Sequence, residues 1–590
     1  MKYIKKEQGI TLIALVVTLV ILIILAAVSI NMVIGEQGIF KKAQQAANAM
    51  YEAEVNTQAS FNSITDEIGQ ALQGSNNQNP ELRQDTPNPP EQIDGMTPIK
   101  FTEPTDSQMG SMQETTWDDG TWYDYSQSKW ANTKSEDGSM WVWIPRYAYK
   151  ITYTNPEDKS QGGIIEVKFL EGTSDNYYEN GELKTAKRQT SADETVDTTT
   201  DYYVHPAFTN ETSINFANGG WDSELTGMYV AKFEAGFPEG NNATSSKKSS
   251  QNYTIGESWI RAIETGTEDS TQDARNWLDG IYGDNLPKIS YPVFQPLTYS
   301  MNYIDVNDAY NICKVMNENG NIYGFTTNTS DTHLIKNSEW GMISYLSYSK
   351  YGTNGQKIAI NNANLNSGEQ ARTIATGKNG VDSVYAITGL TGGTTDGAET
   401  IVKMNEVNSL QGNTPTATGN IYAWNQKGGV SASSTRNITG VYDLAGGLWE
   451  RTASYVANAH DNLSRYGESV SYEGGTLKTI STKYTMVYPY DSTVDNSSKE
   501  DITQNLDAAS NSNYTKNTKI YGDGTRETST TGTGSTSWEE NDSYFAGLYY
   551  PFIARGGNLW SSSNAGRASF YRGDSNNHFH AGFRTVVIPI

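Results

Sequence analysis

Between Ile10 and Ile34 the chain runs for 25 residues without a charge. Wound as an α-helix at ~1.5 Å per residue, this run would reach ~37 Å, more than the ~30 Å hydrocarbon core of a bilayer. A segment this long and apolar must be kept from water, and lipid is the solvent that fits its length. Lys2, Lys5 and Lys6 precede it and Glu36 follows it. The excess of lysines on the N-terminal side predicts a cytoplasmic start, with everything after Gly35 outside the cell. The competing reading is a cleaved secretory signal processed near Ala26-Ala27-Val28-Ser29, but the apolar core of such a signal is only ~7 to 15 residues long. The sequence therefore predicts a single-pass membrane partner segment at residues 10–34, a bacterial cell-membrane location, and a bulk that is extracellular.

The junction before this run, Lys5-Lys6-Glu7-Gln8-Gly9 followed by Ile10-Thr11-Leu12-Ile13-Ala14-Leu15, resembles the type IV prepilin processing site. The resemblance implies that prepilin peptidase is a partner, cutting after Gly9 and methylating Ile10 while leaving the helix in place. Ile39, Ala43, Ala46, Met50 and Tyr51 recur at helical spacing beyond the membrane run, which predicts an extended pilin-like helix over 10–65 after a 1–9 leader. The fifth mature residue is Ala14, where pilins usually carry a glutamate. That carboxylate compensates a neighbour's buried N-terminal ammonium in a filament, since an unpaired buried charge is costly. Its absence points to a minor or unpolymerised anchor, with other pilin subunits as partners in the minor-subunit reading.

Residues 66–110 carry Pro80, Pro87, Pro89, Pro90, Pro98 and Pro104 among Asn, Gln and acidic residues, a composition that reads as a semi-extended linker. From 111 to 590 the texture becomes aromatic and β-branched. Trp141 to Tyr149 and Ile164 to Phe169 predict strands, while Val306–Asn317 and a segment capped by Ser338 predict helices. Polar stretches near 186–200, 240–252, 391–400 and 524–537 read as surface insertions. The net charge of -24 repels phosphate backbones, which argues against a nucleic-acid partner. A single cysteine, Cys313, excludes a disulfide framework within the chain.

Three segments in the second half stand together: Leu334-Ile335-Lys336-Asn337-Ser338-Glu339-Trp340-Gly341, Tyr442 through Glu450, and Arg555-Gly556-Gly557 with Gly582-Phe583-Arg584 at the end. In that order they resemble the formylglycine-generating enzyme and sulfatase-modifying family, best over 290–590. The mixed helix and strand patterns with long loops imply an α+β fold class, and the resemblances imply that the chain comprises a pilin-like transmembrane α-helix followed by a C-type lectin-like module with long insertions. Glu339, Trp340, Trp449, Glu450, Arg555, Gly556, Gly557, Gly582, Phe583 and Arg584 read as its scaffold, with Glu339, Glu450 and Arg584 in one buried polar network. The family's oxidase activity needs a cysteine pair after the Arg-Gly-Gly motif. Here that stretch is Ser561 to Arg567, without a thiol, so no catalytic residue is assigned and a divergent sulfatase-modifying-type enzyme is the weaker reading.

Between Arg-Gly-Gly and Gly-Phe-Arg lies a segment rich in Ser, Asn, aromatic residues and His, the vocabulary of adaptable binding surfaces. It resembles the variable segment of proteins diversified by retroelements; Lys, Glu, Gln, Met and Trp are missing from Ser561 to His580, as adenine-directed mutagenesis of Asn codons would leave it. The resemblance implies ligand contacts at Asn558, Trp560, Ser562, Asn564, Phe570 and Tyr571, and further at Asp574, Asn576, Asn577, His578 and His580. An extracellular protein or glycan is the expected ligand of such an adhesin-like display surface. No organic cofactor is expected; His578 and His580 would face one way on a strand, and the Asp- and Asn-rich composition leaves room for a structural calcium.

Overall fold

The computed structural model describes residues 86–590, apart from 192–193, 211–218, 237–290, 299, 302–303, 362–387, 392–421, 494–501, 559–560 and 576–579. The leader, the predicted membrane run and the pilin-like helix lie outside the described residues. Everything described belongs to one unit, Arg83–Ile590.

The strands are short and run, in chain order, as β1 (Thr97–Thr102), β2 (Ser111–Glu114), β3 (Asn132–Lys134), β4 (Met140–Pro145), β5 (Tyr147–Tyr153), β6 (Gly163–Phe169), β7 (Asn176–Glu179), β8 (Glu182–Thr185), β9 (Tyr203–Val204) and β10 (Gly227–Ala231). They continue as β11 (Ser330–Leu334), β12 (Leu390–Thr391), β13 (Tyr422–Ala423), β14 (Trp449–Val456), β15 (Tyr472–Glu473), β16 (Thr476–Leu477), β17 (Met486–Tyr488), β18 (Phe552–Gly556), β19 (Gly566–Gly573), β20 (Ala581–Phe583) and β21 (Thr585–Pro589). Four α-helices occur among the described residues: α1 (Val306–Lys314), α2 (Asn337–Tyr348), α3 (Asp461–Ser471) and α4 (Ile502–Lys516).

This balance overturns the α+β class expected from the sequence, because the described residues are mostly β-sheet with few helices. Among them no helix is long and apolar enough to cross a membrane. The helical patterns at 306–317 and near Ser338 do mark helices, but each is a brief element between strands. Ser338 is also not the N-cap of α2. That place belongs to Lys336, whose N–H donates to the Glu339 carboxylate at 2.7 Å, closing the first turn from three residues ahead.

A seven-stranded sheet in the order β11-β21-β10-β4-β3-β1-β2 ties the chain's distant parts together. The C-terminal strand β21 lies between β10 and β11, with Tyr229 opposite Val587 and Thr332 opposite the same valine on the other edge. The module therefore begins earlier than 111. Ile93, Met96 and Ile99 are buried, and β1 lies inside the 66–110 stretch read as linker. The prolines misled because an apolar residue at every third or so position, here Ile93, Met96 and Ile99, is enough to dock an extended segment.

β4 is buried along its whole length, and its tryptophans solve the problem of their own N–H groups. Trp141 donates to Ser135 Oγ at 3.0 Å and Trp143 to the Asn88 carbonyl at 3.0 Å. Such pairing lets an indole contribute its large apolar area without an unsatisfied donor. The polar stretch 524–537, expected at the surface, is instead largely interior. Glu527 accepts hydrogen bonds from the hydroxyls of Tyr149 (2.7 Å), Tyr345 (2.6 Å) and Thr198 (3.0 Å) and from the Gly522 N–H at 2.6 Å. Four donors are what a buried carboxylate needs. The stretches at 240–252 and 392–400 lie outside the described residues.

Candidate functional site

β14 is the axis of the second large sheet. Along one edge it pairs antiparallel with β18, Glu450 opposite Arg555. Along the other it pairs in parallel with β20, Glu450 opposite Gly582, and further on with β17. The first segment reaches the same strand where the Ala453 N–H donates to the Ile335 carbonyl at 2.9 Å, so all three sequence segments singled out above meet on β14.

Glu450 and Arg584 have no exposed surface and form a two-pronged ion pair, Nε to Oε2 at 2.9 Å and an Nη2 to Oε1 contact at 2.5 Å. The remaining guanidinium donors reach the Ala231 carbonyl at 2.6 Å and the Tyr442 carbonyl at 2.8 Å. The arrangement fixes the end of β20 against β10 and the start of β14. Two more carboxyls lie near. Asp443 takes the Asn361 amide at 2.6 Å and the Gly389 N–H at 2.8 Å, and Glu234 takes the Leu448 N–H at 3.2 Å and the Ser300 hydroxyl. Burial, then the charges of Asp443 and Glu450, push Glu234 well above the usual carboxyl range. Burial likewise lifts Glu450 to about 7, against the pull of Arg584, and Asp443 to about 6. Gly447 sits at φ 73°, and a Cβ there would stand 2.9 Å from the Glu234 carboxylate; only glycine lets the backbone turn this close to the cluster.

Glu339 does not join this network. Its carboxylate is shared by His333 Nε2 at 3.1 Å and by Lys336. Burial alone would raise it, but the neighbouring His333 and Lys336 hold it below its ordinary value. Trp340 donates its indole N–H to the Arg567 carbonyl at 2.9 Å. Arg555 reaches Asn337 Oδ1 at 3.0 Å and the Gly524 carbonyl at 2.9 Å. Gly557 sits at φ 78° with the Ala565 backbone against it, so the Arg-Gly-Gly corner admits no side chain. Phe583 is fully buried.

On this frame rests the segment expected to bind ligand. β19 pairs with β18, Arg555 opposite Phe570, with a register shift before Gly556. Tyr571 points outward with 38% of its surface exposed, while Phe570 on the next position has none. Phe570 packs among Tyr514, Phe545 and Ile553 in a separate core cluster, so it offers a ligand no surface. The Tyr571 ring lies between Trp449 (5.2 Å between ring centres) and Tyr544 (5.1 Å). Asn564 donates to Ser535 Oγ at 3.0 Å and to Asp542 Oδ1 at 3.4 Å. Burial raises the Asp542 carboxyl to about 6. Asn558 is 5% exposed, and its amide oxygen accepts from the N–H and the hydroxyl of Ser561; it shapes the turn. Asp574 and His580 are half-buried. Trp560, Asn576, Asn577 and His578 lie outside the described residues, as does the side chain of Ser562.

No protein-family model matches the chain, and no curated protein matches it. The geometry therefore carries the functional reading. Tyr544 and Asp542 are the residues that sequence reasoning missed. The signal for Tyr544 was the aromatic-rich run Tyr544 to Tyr550, which the Arg-Gly-Gly and Gly-Phe-Arg landmarks left outside the bracketed segment; Asp542 carried no such signal. Among the described residues no group of three or more His, Cys, Asp or Glu side chains is arranged to hold a metal ion. Cys313 is fully buried, and burial pushes its thiol up to about 12.

Proposed function

We propose that the chain is a membrane-anchored, extracellular binding protein of adhesin type, without enzymatic activity, tethered through residues 10–34 after prepilin-like processing at Gly9. Its recognition face is built from Tyr571, Tyr544, Asn564 and Asp542, with the buried Trp449 backing the Tyr571 ring and Asp574 and His580 at its margin. The observation that carries this reading is the half-exposed Tyr571 ring, held by Trp449 and Tyr544 on a strand whose neighbouring residues are locked inside. Rigid aromatic rings beside adaptable amides are what protein and glycan recognition surfaces use. The non-enzymatic part is supported by the thiol-free stretch Ser561 to Arg567 and by a sole cysteine with no exposure. The resemblance of the Asn558–His580 segment to retroelement-diversified proteins supports a face that varies between relatives.

The test is adhesion of cells displaying the full chain to surfaces coated with host-type glycans and glycoproteins. Cells carrying Tyr544→Ala with Tyr571→Ala are expected to lose adhesion by more than tenfold at unchanged surface level. Equal adhesion by the double variant contradicts the face.

A further inference from the structure

Away from this face, β4 separates β3 from β10, and two side chains cross over it from either side. Asn132 lies opposite Val142 on one edge of β4, and Ala231 opposite Trp141 on the other, with Lys232 following. The Lys232 ammonium position has no exposed surface and Asn132 only 1%. Lys232 Nζ stands 2.9 Å from Asn132 Oδ1. The Asn132 amide nitrogen donates to the Trp130 carbonyl at 2.9 Å and the Thr439 carbonyl at 2.7 Å, which fixes the amide with its oxygen toward the lysine. The rings of Phe101 and Tyr442 flank Nζ, their centres 4.9 Å and 5.4 Å away.

This lysine has carbonyl neighbours, Ile438 and Gly440, each at 2.8 Å, but among the described residues it forms no ion pair within 4.0 Å. A fully buried ammonium without a counter-ion is costly, and burial drives Lys232 well below its ordinary value. Burial thus makes the neutral amine, the form with a free electron pair, easier to reach. One carboxyl is nearby: Glu103 accepts the N–H of Ile438 at 3.2 Å, the same residue whose carbonyl receives Lys232, and burial raises it above the usual carboxyl range.

We propose that Lys232 and Asn132 are joined by an intramolecular isopeptide bond, with Glu103 carrying the proton. The Nζ electron pair attacks Asn132 Cγ and forms the new C–N bond. The Cγ–Nδ2 bond breaks, and Nδ2 leaves as ammonia with the proton that Nζ gives up. Glu103 moves that proton by leaving the Ile438 N–H and swinging toward the amide. Nothing is oxidised or reduced, and no co-reactant is needed. The bond clamps β3 to β10 across β4, a covalent tie that the chain's single cysteine cannot supply.

Mass spectrometry of the purified full-length chain decides the matter. The wild type is expected to yield, after trypsin, one branched peptide uniting the Asn132 and Lys232 segments, lighter than their sum by one ammonia molecule. Lys232→Arg and Asn132→Ala are expected to give separate peptides at full mass, and Glu103→Gln to leave most of the chain unlinked. Separate Asn132 and Lys232 peptides at full mass from folded wild type overturn the bond, whatever the variants do. A Glu103→Gln chain linked as completely as wild type overturns the proton-carrying role.

Discussion

Arg584 commits each of its three guanidinium nitrogens to buried acceptors, and among the described residues it is the cation paired with Glu450. Removing one partner of a buried ion pair leaves an uncompensated charge and typically costs ~3–5 kcal/mol. Arg584→Met is therefore expected to lower stability by about that much in chemical denaturation. Adding Glu450→Gln to that variant is expected to recover part of the loss. His205 provides a pH-dependent counterpart. It is fully buried, accepts the Ala207 N–H on Nδ1 at 3.3 Å, and burial lowers it from 6.5 to about 3. Folded, it stays neutral; unfolded, it takes a proton near 6.5. Its stabilising contribution is thus complete above 6.5 and is lost as pH falls from 6.5 toward 3, by up to ~5 kcal/mol. His205→Asn keeps an acceptor for Ala207 but does not titrate. The stability difference between wild type and this variant is expected to shift against the wild type as pH falls through that window; a constant difference would rule the mechanism out.

Strand β19 separates two kinds of residue that the sequence could not tell apart. Phe570 and Tyr571 are adjacent aromatics, and both read as ligand contacts until the phase of the strand is known, because alternation assigns faces only relative to a core. Phe570→Ala is expected to cost ~3–5 kcal/mol of stability, and Tyr571→Ala less than ~1 kcal/mol, measured by thermal or denaturant unfolding. Legibility elsewhere followed the same physics. The Trp141–Tyr149 run announces strands because its apolar residues are bulky and bounded by turn formers, and β4 and β5 lie there. The 524–537 stretch misreads as surface because Gly, Ser and Thr are typical of loops. Its carboxylate Glu527 is satisfied by Tyr149, 378 positions away, and no local pattern reveals such a partner. Glu339 was assigned to the wrong network for a related reason: His333 and Lys336, its actual partners, lie six and three residues before it, where no pattern of spacing marks them as buried.

At the scale of the whole chain, Glu450, Arg555, Gly582 and Arg584, drawn from the second and third landmark segments, meet around β14. The fold class was not legible. Helical periodicity is conspicuous in sequence, whereas strands of two to five residues, such as β9, β12 and β20, carry too little pattern to register. The N-terminal boundary of the module was missed too, because prolines before β1 outweighed a few docked apolar residues. The account as a whole requires this module to stand outside a membrane that the run from Ile10 to Ile34 enters. The most direct test is protease treatment of intact cells expressing the full chain, followed by membrane fractionation. The account predicts that protease releases fragments of the 86–590 unit from undisrupted cells while an N-terminal stub stays with the membranes. A chain that resists protease until the cells are lysed, and then appears in the soluble fraction, would contradict it.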